Sequence, residues 1–371
     1  MVRERRPGER RVAAVPDTVV ALVRSGHQVV VAAGAGEAAF VGDADFAAAG
    51  ATVVDGDVLA GADVALHVRP LLPEDAGRLR PGAVSIGFMS PAAEPSGVRA
   101  LCAAGVTSFA MELVPRISRA QSMDALTSQA LVAGYRCALE AAMRLPRFFP
   151  LFMTAAGTVP PARVLVLGAG VAGLQAIATA RRLGAVVEAY DVRPSSADEV
   201  RSMGAVFVDL QLEAIEGAGG YARELSEERA RRQAELLAPY VAKSDAVITT
   251  AAVPGRAAPR LVTSAMVAAM RPGSVVVDLA AESGGNVEGT VAGQEVHVGG
   301  VRLVGMADAA STMPVDASRL YAKNLTNLLA LMVRDGALAL DLDDEVLAGT
   351  CVTHDGVVRH EPTRLLLEGN R

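Results

Sequence analysis

Short apolar runs alternate with amphipathic segments through the first third of the chain. Amphipathic spacing predicts helices at Pro16–Ser25 and Asp43–Ala49. The predicted strands are His27–Ala33, Asp63–Val68, Ala83–Phe88 and Val106–Leu113. Strands separated by helices imply a parallel sheet covered by helices. Only Met1–Arg3 precede the first polar turn, so either the chain begins further upstream or this edge strand is frayed.

A second α/β series follows a long predicted helix at Thr127–Arg144, where apolar residues recur every four positions and which we expect to bridge two domains. Six strands of one Rossmann sheet are then predicted at Arg163–Leu167, Val186–Asp191, Ala205–Val208, Ala246–Thr250, Ser274–Leu279 and Val301–Met306. A helix at Ala317–Val333 and a polar tail are expected to return to the first domain. The prediction is an α/β protein with two Rossmann-like, doubly wound parallel-sheet domains joined by long helices. One domain is 1–126 completed by 311–371, and the other is 127–310.

Composition narrows the functional classes. The 371 residues are 51% hydrophobic and 20% charged with a net charge of -6, which fits a globular chain and argues against binding to nucleic acid. No run of 18 apolar residues and no signal peptide is visible, so we expect a cytoplasmic protein without membrane insertion. Cys102, Cys137 and Cys351 are too scattered to suggest a disulfide framework, and no metal-ligand cluster is visible.

The strongest chemical signal is the glycine pattern that follows the strand at Arg163–Leu167. Gly168 allows a tight turn, Gly170 lets the backbone approach a pyrophosphate, and Gly173 permits close contact between helix and strand. The helix N-terminus after the turn favours phosphate charge. Asp191, about 20 residues further on, ends the next strand, as the dinucleotide-binding pattern requires.

The same acid indicates which dinucleotide is bound. Asp191 would accept hydrogen bonds from the adenosine ribose and repel a 2′-phosphate, so NAD(H) is preferred over NADP(H). Arg193 leaves alternatives open, because its guanidinium could bind a 2′-phosphate, pack over the adenine or pair with a surface acid.

A polar stretch at Pro115–Thr127 precedes the long helix. Asp124 and Thr127 could simply cap that helix, and Arg119 could be a solvated surface charge. However, the run MELVPRISRAQSMDALTSQALVAGY, residues 111–135, resembles the arginine-glutamine-aspartate loop of the NAD(H)-binding subunit of proton-translocating NAD(P) transhydrogenases. The resemblance covers essentially the whole chain and also includes Arg6–Ala13, Gly34–Gly36, Gly219–Ala222, Thr249–Gly255, Asp278–Asn286 and Lys323–Leu325.

This resemblance implies a set of site residues. Those implied to be catalytic surround the nicotinamide or lie on a mobile lid, and they are Arg116, Gln121, Asp124, Thr127 and Tyr221. Thr127 stands where the family is expected to have Ser, and it keeps the hydroxyl. The residues implied to bind the cofactor are Arg116, Ile117, Ser118, Gln121, Gly168, Gly170, Val171, Gly173, Asp191, Val192, Arg193, Gly220, Gln233 and Ala252. The glycine-rich run at Glu216–Tyr221 suits a lid, although without the resemblance it would be interpreted as a surface loop.

The resemblance also implies partners. Direct hydride transfer between two nicotinamides needs no side-chain base, only positioning and exclusion of water. One dinucleotide pattern is visible, so NADP(H) is expected on a partner subunit. The family further implies a membrane-spanning subunit for proton translocation, a homodimer, and attachment to the inner face of the cell membrane through these partners.

Two other functions are considered. Alanine dehydrogenases share the architecture, and the chain resembles them at Arg11, but Arg69 and Ser90 stand where they carry a catalytic Lys and His, and Glu282 matches their Asp. A base for deprotonating an amine is therefore not apparent. The other alternative is a non-catalytic module that only binds NADH.

Overall fold

The computed structural model describes residues 1–212, 227–252 and 257–369. The helices are α1 (Pro16–Arg24), α2 (Asp43–Ala48), α3 (Pro73–Ala76), α4 (Pro95–Ala103), α5 (Ala125–Arg144), α6 (Val171–Arg182), α7 (Ser196–Ser202), α8 (Glu227–Lys243), α9 (Ser264–Ala268), α10 (Pro314–Ala330), α11 (Glu345–Thr350) and α12 (Glu361–Gly369). The strands are β1 (Val30–Ala32), β2 (Thr52–Val54), β3 (Val64–Leu66), β4 (Val84–Gly87), β5 (Thr107–Ala110), β6 (Phe152–Thr154), β7 (Gly157–Val159), β8 (Arg163–Leu167), β9 (Val186–Tyr190), β10 (Val206–Phe207), β11 (Ala246–Thr249), β12 (Val275–Asp278), β13 (Glu295–Val298), β14 (Val301–Gly305), β15 (Val333–Arg334), β16 (Ala337–Leu338), β17 (Cys351–His354) and β18 (Val357–Val358).

The first compact unit comprises Met1–Gln129 and Ser311–Arg371. Its largest sheet has the order β18-β17-β5-β4-β3, in which β3, β4 and β5 are parallel and the tail strand β17 is antiparallel to β5. β1 and β2 form a separate parallel pair. Its apolar core joins residues from these strands to buried residues of α1 and α10, including Val19, Tyr321 and Leu325.

The first residues of the chain do not form a frayed edge. The amide of Ala32 donates to the carbonyl of Met1 at 3.1 Å, and the amide of Val2 donates to the carbonyl of Leu66 at 3.3 Å. Met1–Val2 therefore lies between β1 and β3 and links the two sheets through hydrogen bonds on both sides. Of the two alternatives for this segment, the frayed edge strand is wrong. The pattern of apolar residues cannot show which strands flank so short a segment.

The second compact unit, Ala130–Ala310, contains a seven-stranded sheet with the order β10-β9-β8-β11-β12-β14-β13. Six strands are parallel, and β13 is an antiparallel edge. Successive residues of β8 enter two different apolar clusters, with Val164 and Val166 in one and Leu165 and Leu167 in the other. Both faces of the strand are therefore buried, which explains its continuous apolar sequence. The predicted α/β class with parallel-sheet domains is confirmed.

Some predicted boundaries are wrong. The strand expected at Val106–Leu113 ends at Ala110, and a 3-10 helix occupies Met111–Leu113. At this turn the half-buried Glu112 accepts hydrogen bonds through its carboxylate from the amides of Met89 and Ser90. Burial raises the pKa of Glu112. The sequence pattern also did not predict β2, β13 or the β6–β7 hairpin, which expose one or both faces.

Helix α5 runs without a break from the first unit into the second. It begins at Ala125, two residues before the predicted start at Thr127, and ends at Arg144 as predicted. Across the residues that the structure describes, no helix combines the length and apolarity needed to span a bilayer.

Candidate functional site

The glycine turn between β8 and α6 has two closed positions and one open position. Gly168 has a φ of +98°, and a Cβ there would lie 2.8 Å from Thr250 Oγ1. A Cβ on Gly173 would lie only 1.9 Å from the carbonyl oxygen of Gly168. At Gly170, by contrast, no atom of the described residues would come within 4 Å of a Cβ. The protein itself therefore requires the first and third glycines, whereas the open space at the second suits close approach by a ligand.

The N-terminus of α6 adds electrostatic attraction at the same place. Gly170 is its N-cap residue and offers no side chain to bond the first amides of the helix. Its carbonyl accepts the first helical hydrogen bond, from the amide of Leu174 at 2.8 Å. An uncapped helix N-terminus carries partial positive charge and amide donors that suit a phosphate group. The turn therefore fits the pyrophosphate of a dinucleotide.

Asp191, which directly follows β9, is hydrogen-bonded to the glycine turn. Its Oδ2 accepts from the amide of Ala169 at 2.7 Å and from Arg193 Nη2 at 3.1 Å. Its Oδ1 accepts from the amide and from Nε of Arg193, both at 2.9 Å. The hydrogen bond to Asp191 raises the pKa of Arg193. Of the alternatives open for Arg193, the structure shows pairing with an acid, and that acid is Asp191 itself.

This pairing matters for ribose binding. A carboxylate has about four acceptor positions, and the contacts from Ala169 and Arg193 occupy that number on Asp191. Ribose hydroxyls that bind to Asp191 must therefore replace contacts made by the Arg193 guanidinium.

Gln233 offers a buried acceptor beside this region. It lies on α8 with 2% of its surface exposed, and its Oε1 has no hydrogen-bond partner among the residues the structure describes. Leu237, one turn further along α8, belongs to the same apolar cluster as Tyr190, the residue before Asp191. An unsatisfied buried acceptor costs about 1–3 kcal/mol, and a hydroxyl or amine of a bound nucleotide would satisfy it.

The loop after β11 forms a second wall, and polar side chains that the sequence analysis did not single out hold it. Thr250 Oγ1 donates to the carbonyl of Gly168 at 3.1 Å. Asn286, which is fully buried, accepts from the amide of Ala251 at 3.0 Å and donates to the carbonyls of Ala251 and Pro259, both at 2.8 Å. Ala252, the implied cofactor contact, directly follows this anchored residue and is exposed.

Asp278 likewise holds loop backbone in place, at the end of β12. Its buried carboxylate accepts from Thr249 Oγ1 at 3.0 Å, Thr290 Oγ1 at 2.8 Å and two amides, those of Ala280 and Val287. The signal in the sequence was an acid at the end of an apolar strand within the Asp278–Asn286 run. That pattern alone cannot distinguish a structural carboxylate from a catalytic one.

The implied nicotinamide loop lies in the first unit, where a 3-10 helix spans Ser118–Met123. Asp124 Oδ1 accepts from the amide of Thr127 at 2.8 Å, and Oδ2 accepts from the Thr127 hydroxyl at 2.6 Å. These two residues thus make the helix-capping contacts that the sequence allowed. Arg116, Ser118 and Gln121 are exposed, and Ile117 packs against the core of the unit.

Four residues stand at the positions that correspond to the alanine dehydrogenase site, namely Arg11, Arg69, Ser90 and Glu282. Arg11 is buried and bonds Glu9 through Nε at 2.8 Å and Nη2 at 2.6 Å. Ser90 adopts a left-handed φ of +45°, and Glu282 accepts from the amide of Asp308. The Nε of Arg69 lies 4.0 Å from Glu9.

Two implied residues, Gly220 and Tyr221, lie outside the described residues. In the parts that the structure does describe, no cluster of three His, Cys, Asp or Glu residues is arranged to hold a metal ion. Three features define a dinucleotide-binding fold. They are a parallel sheet with the central order β10-β9-β8-β11-β12, an open glycine in the turn after β8, and an acid after β9.

Comparison with known proteins extends this assignment. Family models for the alanine dehydrogenase/PNT N-terminal domain and C-terminal domain match residues 1–133 and 137–361. The chain belongs to the alanine dehydrogenase/PNT family.

Individual relatives favour one branch of that family. A relative from Rhodospirillum rubrum that is named as NAD(P) transhydrogenase subunit alpha is 48% identical over 370 residues, covering 96% of each chain. The crystal structure of transhydrogenase from Sinorhizobium meliloti is 49% identical with a TM-score of 0.88, covering 96% of this chain and 98% of that one. Alanine dehydrogenase of Mycobacterium tuberculosis is 37% identical over 292 residues, which are 77% of this chain and 73% of that one. The resemblance to transhydrogenase alpha subunits is confirmed.

Proposed function

We propose that this chain is the NAD(H)-binding alpha subunit of a proton-translocating, Re/Si-specific NAD(P)+ transhydrogenase. The observation that carries the proposal is the glycine turn, which leaves Gly170 open beside an uncapped helix N-terminus. The relatives at 48% and 49% identity, which are named as transhydrogenases, support the reaction.

The second unit of the chain holds the adenosine half of the cofactor in this proposal. Gly170 and the first amides of α6, next to Val171, would bind the phosphate oxygens of the cofactor. Asp191 would exchange its contacts with the Arg193 guanidinium for ribose hydroxyls, and Val192 lies between these two residues in sequence. Gln233, whose Oε1 has no partner among the described residues, would accept a hydrogen bond from the nucleotide, and Ala251–Ala252 would line the site. The family resemblance adds Gly220, which lies outside the described residues.

The loop of the first unit orients the nicotinamide, as the family resemblance implies. When bound, NAD(H) supplies or receives the hydride at its nicotinamide ring. Gln121 and Arg116, which are both exposed, would contact the ring. Asp124 and Thr127 retain acceptor capacity beyond their mutual hydrogen bonds, because each oxygen can accept a second bond. The family resemblance also assigns Tyr221 to this site, and that residue lies outside the described residues.

No step in this scheme needs a side-chain base. The chain would lower the barrier by positioning the bound nicotinamide and by excluding water. NADP(H) is held by a partner subunit, and a membrane-spanning subunit couples the exchange to proton passage. The chain itself is cytoplasmic and attached to the inner face of the membrane through these partners.

We also propose that the chain forms a homodimer, and exposed apolar residues support this. Phe148, Leu151, Phe152 and Met153 on and beside the β6–β7 hairpin are all exposed, Met153 by 74%. The rings of Phe148 and Phe152 contact each other edge to face with centroids 4.6 Å apart. An exposed apolar group of this kind is typical of an interaction surface.

The test is hydride exchange in a reconstituted mixture. The purified chain is mixed with the NADP(H)-binding subunit of a related transhydrogenase, NADH and an NADP+ analogue whose reduction changes its absorbance. We expect exchange in the mixture and none with either protein alone. Exchange by the chain alone would reveal a second nucleotide site, and NADH binding without exchange in the mixture would favour the non-catalytic binding module.

Alanine dehydrogenase activity is the second candidate, supported by the relative at 37% identity. The structure argues against it, since Arg11 is occupied by Glu9 and the positions for Lys and His hold Arg69 and Ser90. Incubation with L-alanine and NAD+ from mildly acidic to alkaline pH should yield no NADH. Steady NADH production would replace the proposed function with this one.

A further inference from the structure

One backbone carbonyl of the nicotinamide loop is held by two asparagines from a distant part of the sequence. The carbonyl oxygen of Ser122 accepts from Asn324 Nδ2 at 2.8 Å and from Asn327 Nδ2 at 2.9 Å. Both asparagines lie on α10, three residues apart and therefore on the same face of the helix. Ser122 directly follows Gln121, so the grip acts on the peptide next to that side chain.

Asn324 also fixes the other end of the loop. Its Oδ1 accepts from the hydroxyl of Ser128 at 2.7 Å, and Ser128 lies in the first turns of α5. Asn324 is 7% exposed, so both bonds are largely shielded from water. The loop between Gln121 and α5 is thus held at the Ser122 carbonyl and at Ser128 by a single side chain.

A buried network of hydrogen-bonded side chains continues from Ser128 into the first unit. Gln129 Nε2 donates to Ser128 Oγ at 3.2 Å and to the carbonyl of Ala317 at 3.1 Å. Gln129 Oε1 accepts from Arg11 Nη1 at 2.9 Å, and Arg11 is neutralised by Glu9. A connected and satisfied network of this kind rigidifies what it touches. The Arg11 side chain therefore supports this network.

Gln121 itself differs from its surroundings. Its side chain is exposed and makes no hydrogen bond within the described residues, whereas its neighbours Ala120 and Met123 are buried. The structure therefore combines a rigidly held backbone with an uncommitted polar side chain. This arrangement suits a group that must meet a ligand in one defined position.

We propose that Asn324 and Asn327 are positioning residues, which act through the Ser122 carbonyl to place Gln121 for hydride exchange. The inference rests on the proposed function. Neither asparagine needs to touch the nucleotide for this role, so their loss should lower the rate of exchange without weakening NADH binding. A displacement of about 1 Å can reduce the rate about 100-fold, and loss of one of two hydrogen bonds should produce a smaller part of that effect.

The test compares Asn327→Ala with Thr326→Ala in the reconstituted exchange assay. Thr326 is a matched control because, among the described residues, its hydroxyl bonds only the carbonyl of Ala322 within α10. We expect Asn327→Ala to lower kcat about 10-fold with a dissociation constant for NADH within about twofold of wild type. Thr326→Ala should change neither. An Asn327→Ala rate equal to wild type, or equal losses in both variants, would overturn the proposal.

A double-mutant cycle shows whether the effect passes through Gln121. In a Gln121→Ala background, Asn327→Ala should change kcat by less than about twofold, because the side chain being positioned is already absent. A full additional loss in that background would refute action through Gln121. Asn327 is only half-buried, so this variant avoids the folding risk of replacing Asn324.

Hydrogen exchange provides a readout that does not require catalysis. Amides of residues 118–124 should exchange faster in Asn327→Ala than in wild type and Thr326→Ala, at equal melting temperatures. Unchanged amide hydrogen exchange would refute the claim that Asn327 holds the loop, even if the chain transfers no hydride. The wild-type chain could instead fail to transfer hydride with any partner while the loop amides exchange faster in Asn327→Ala. That result would refute the proposed function and the positioning role in hydride exchange, but not the hydrogen bonds that hold the loop.

Discussion

Two glycines of the glycine turn have different roles, so alanine substitutions at these positions should affect different properties of the protein. A Cβ on Gly173 would lie 1.9 Å from the Gly168 carbonyl oxygen, a distance that only backbone movement can relieve. Gly170 has a φ of -76° and a ψ of -170°, which alanine adopts readily, and the space around its Cβ position is open. Gly173→Ala should therefore damage folding, and Gly170→Ala should damage binding.

The expected magnitudes separate the two variants. Overpacking of this kind costs about 1–3 kcal/mol, and a backbone clash belongs at the upper end. For a domain of this size, such a loss lowers Tm by about 4–10 °C. Gly170→Ala should cost about 1 kcal/mol, because alanine is a poorer N-cap residue than glycine but meets no clash at this position. A methyl group where a phosphate oxygen approaches should weaken NADH binding at least about tenfold, equivalent to about 1.4 kcal/mol.

Thermal unfolding followed by circular dichroism measures the first effect, and titration of NADH fluorescence measures the second. Gly170→Ala with wild-type affinity would show that the pyrophosphate does not approach this face of the turn. Gly173→Ala with wild-type Tm would show that the close packing of α6 on the turn is wrong. The reasoning is supported only if Gly170→Ala is stable but binds NADH weakly and Gly173→Ala is unstable.

Three further predictions concern other parts of the chain. Asp191→Ala should narrow the preference for NADH over NADPH in fluorescence titrations, since the repelling charge is removed; an unchanged ratio would make Asp191 purely structural. Burial alone would raise the pKa of Glu9, but its hydrogen bonds with Arg11 and the Arg11 charge outweigh burial and lower it. A carboxylate with a lowered pKa stabilises the fold above its unfolded pKa and loses this contribution as the pH falls through its folded pKa. Glu9→Gln should therefore lower Tm most at pH 7, and this loss should shrink as the pH falls below about 4. A loss of Tm that stays constant over this range would contradict the ion-pair account. Met153→Asp should shift the sedimentation of the chain from dimer to monomer, and a wild-type dimer would place the interface elsewhere.

Much of the second unit could be predicted from local pattern. Strand β8 is buried on both faces, so its sequence is continuously apolar, and the glycines after it meet steric demands set within a few residues. Asp191 follows at the expected spacing. These features depend on interactions between neighbours in sequence or on the uniform burial of a parallel strand. Periodicity and spacing therefore carry enough information to place them.

What the carboxylates and amides of the site do could not be predicted. Asp191 was expected to bind ribose, but only the structure shows that Arg193 and the amide of Ala169 already occupy its oxygens. Asn286 and Asp278 were visible in the sequence, yet their role in holding loops became clear only when their partners were placed. A polar residue type does not reveal its partner, because hydrogen-bond geometry depends on three-dimensional proximity.

Long-range pairing was decided by tertiary structure alone. The sequence by itself determined the α/β class, the position of the glycine turn and the helix that follows the polar loop. It could not place Met1–Val2 between β1 and β3, or pair the tail strand β17 with β5. Nor could it show that α10 grips the carbonyl of Ser122 across about 200 residues. Such contacts leave no periodic trace, because each joins one short segment to another whose separation along the chain is arbitrary, and only the folded core brings the two together.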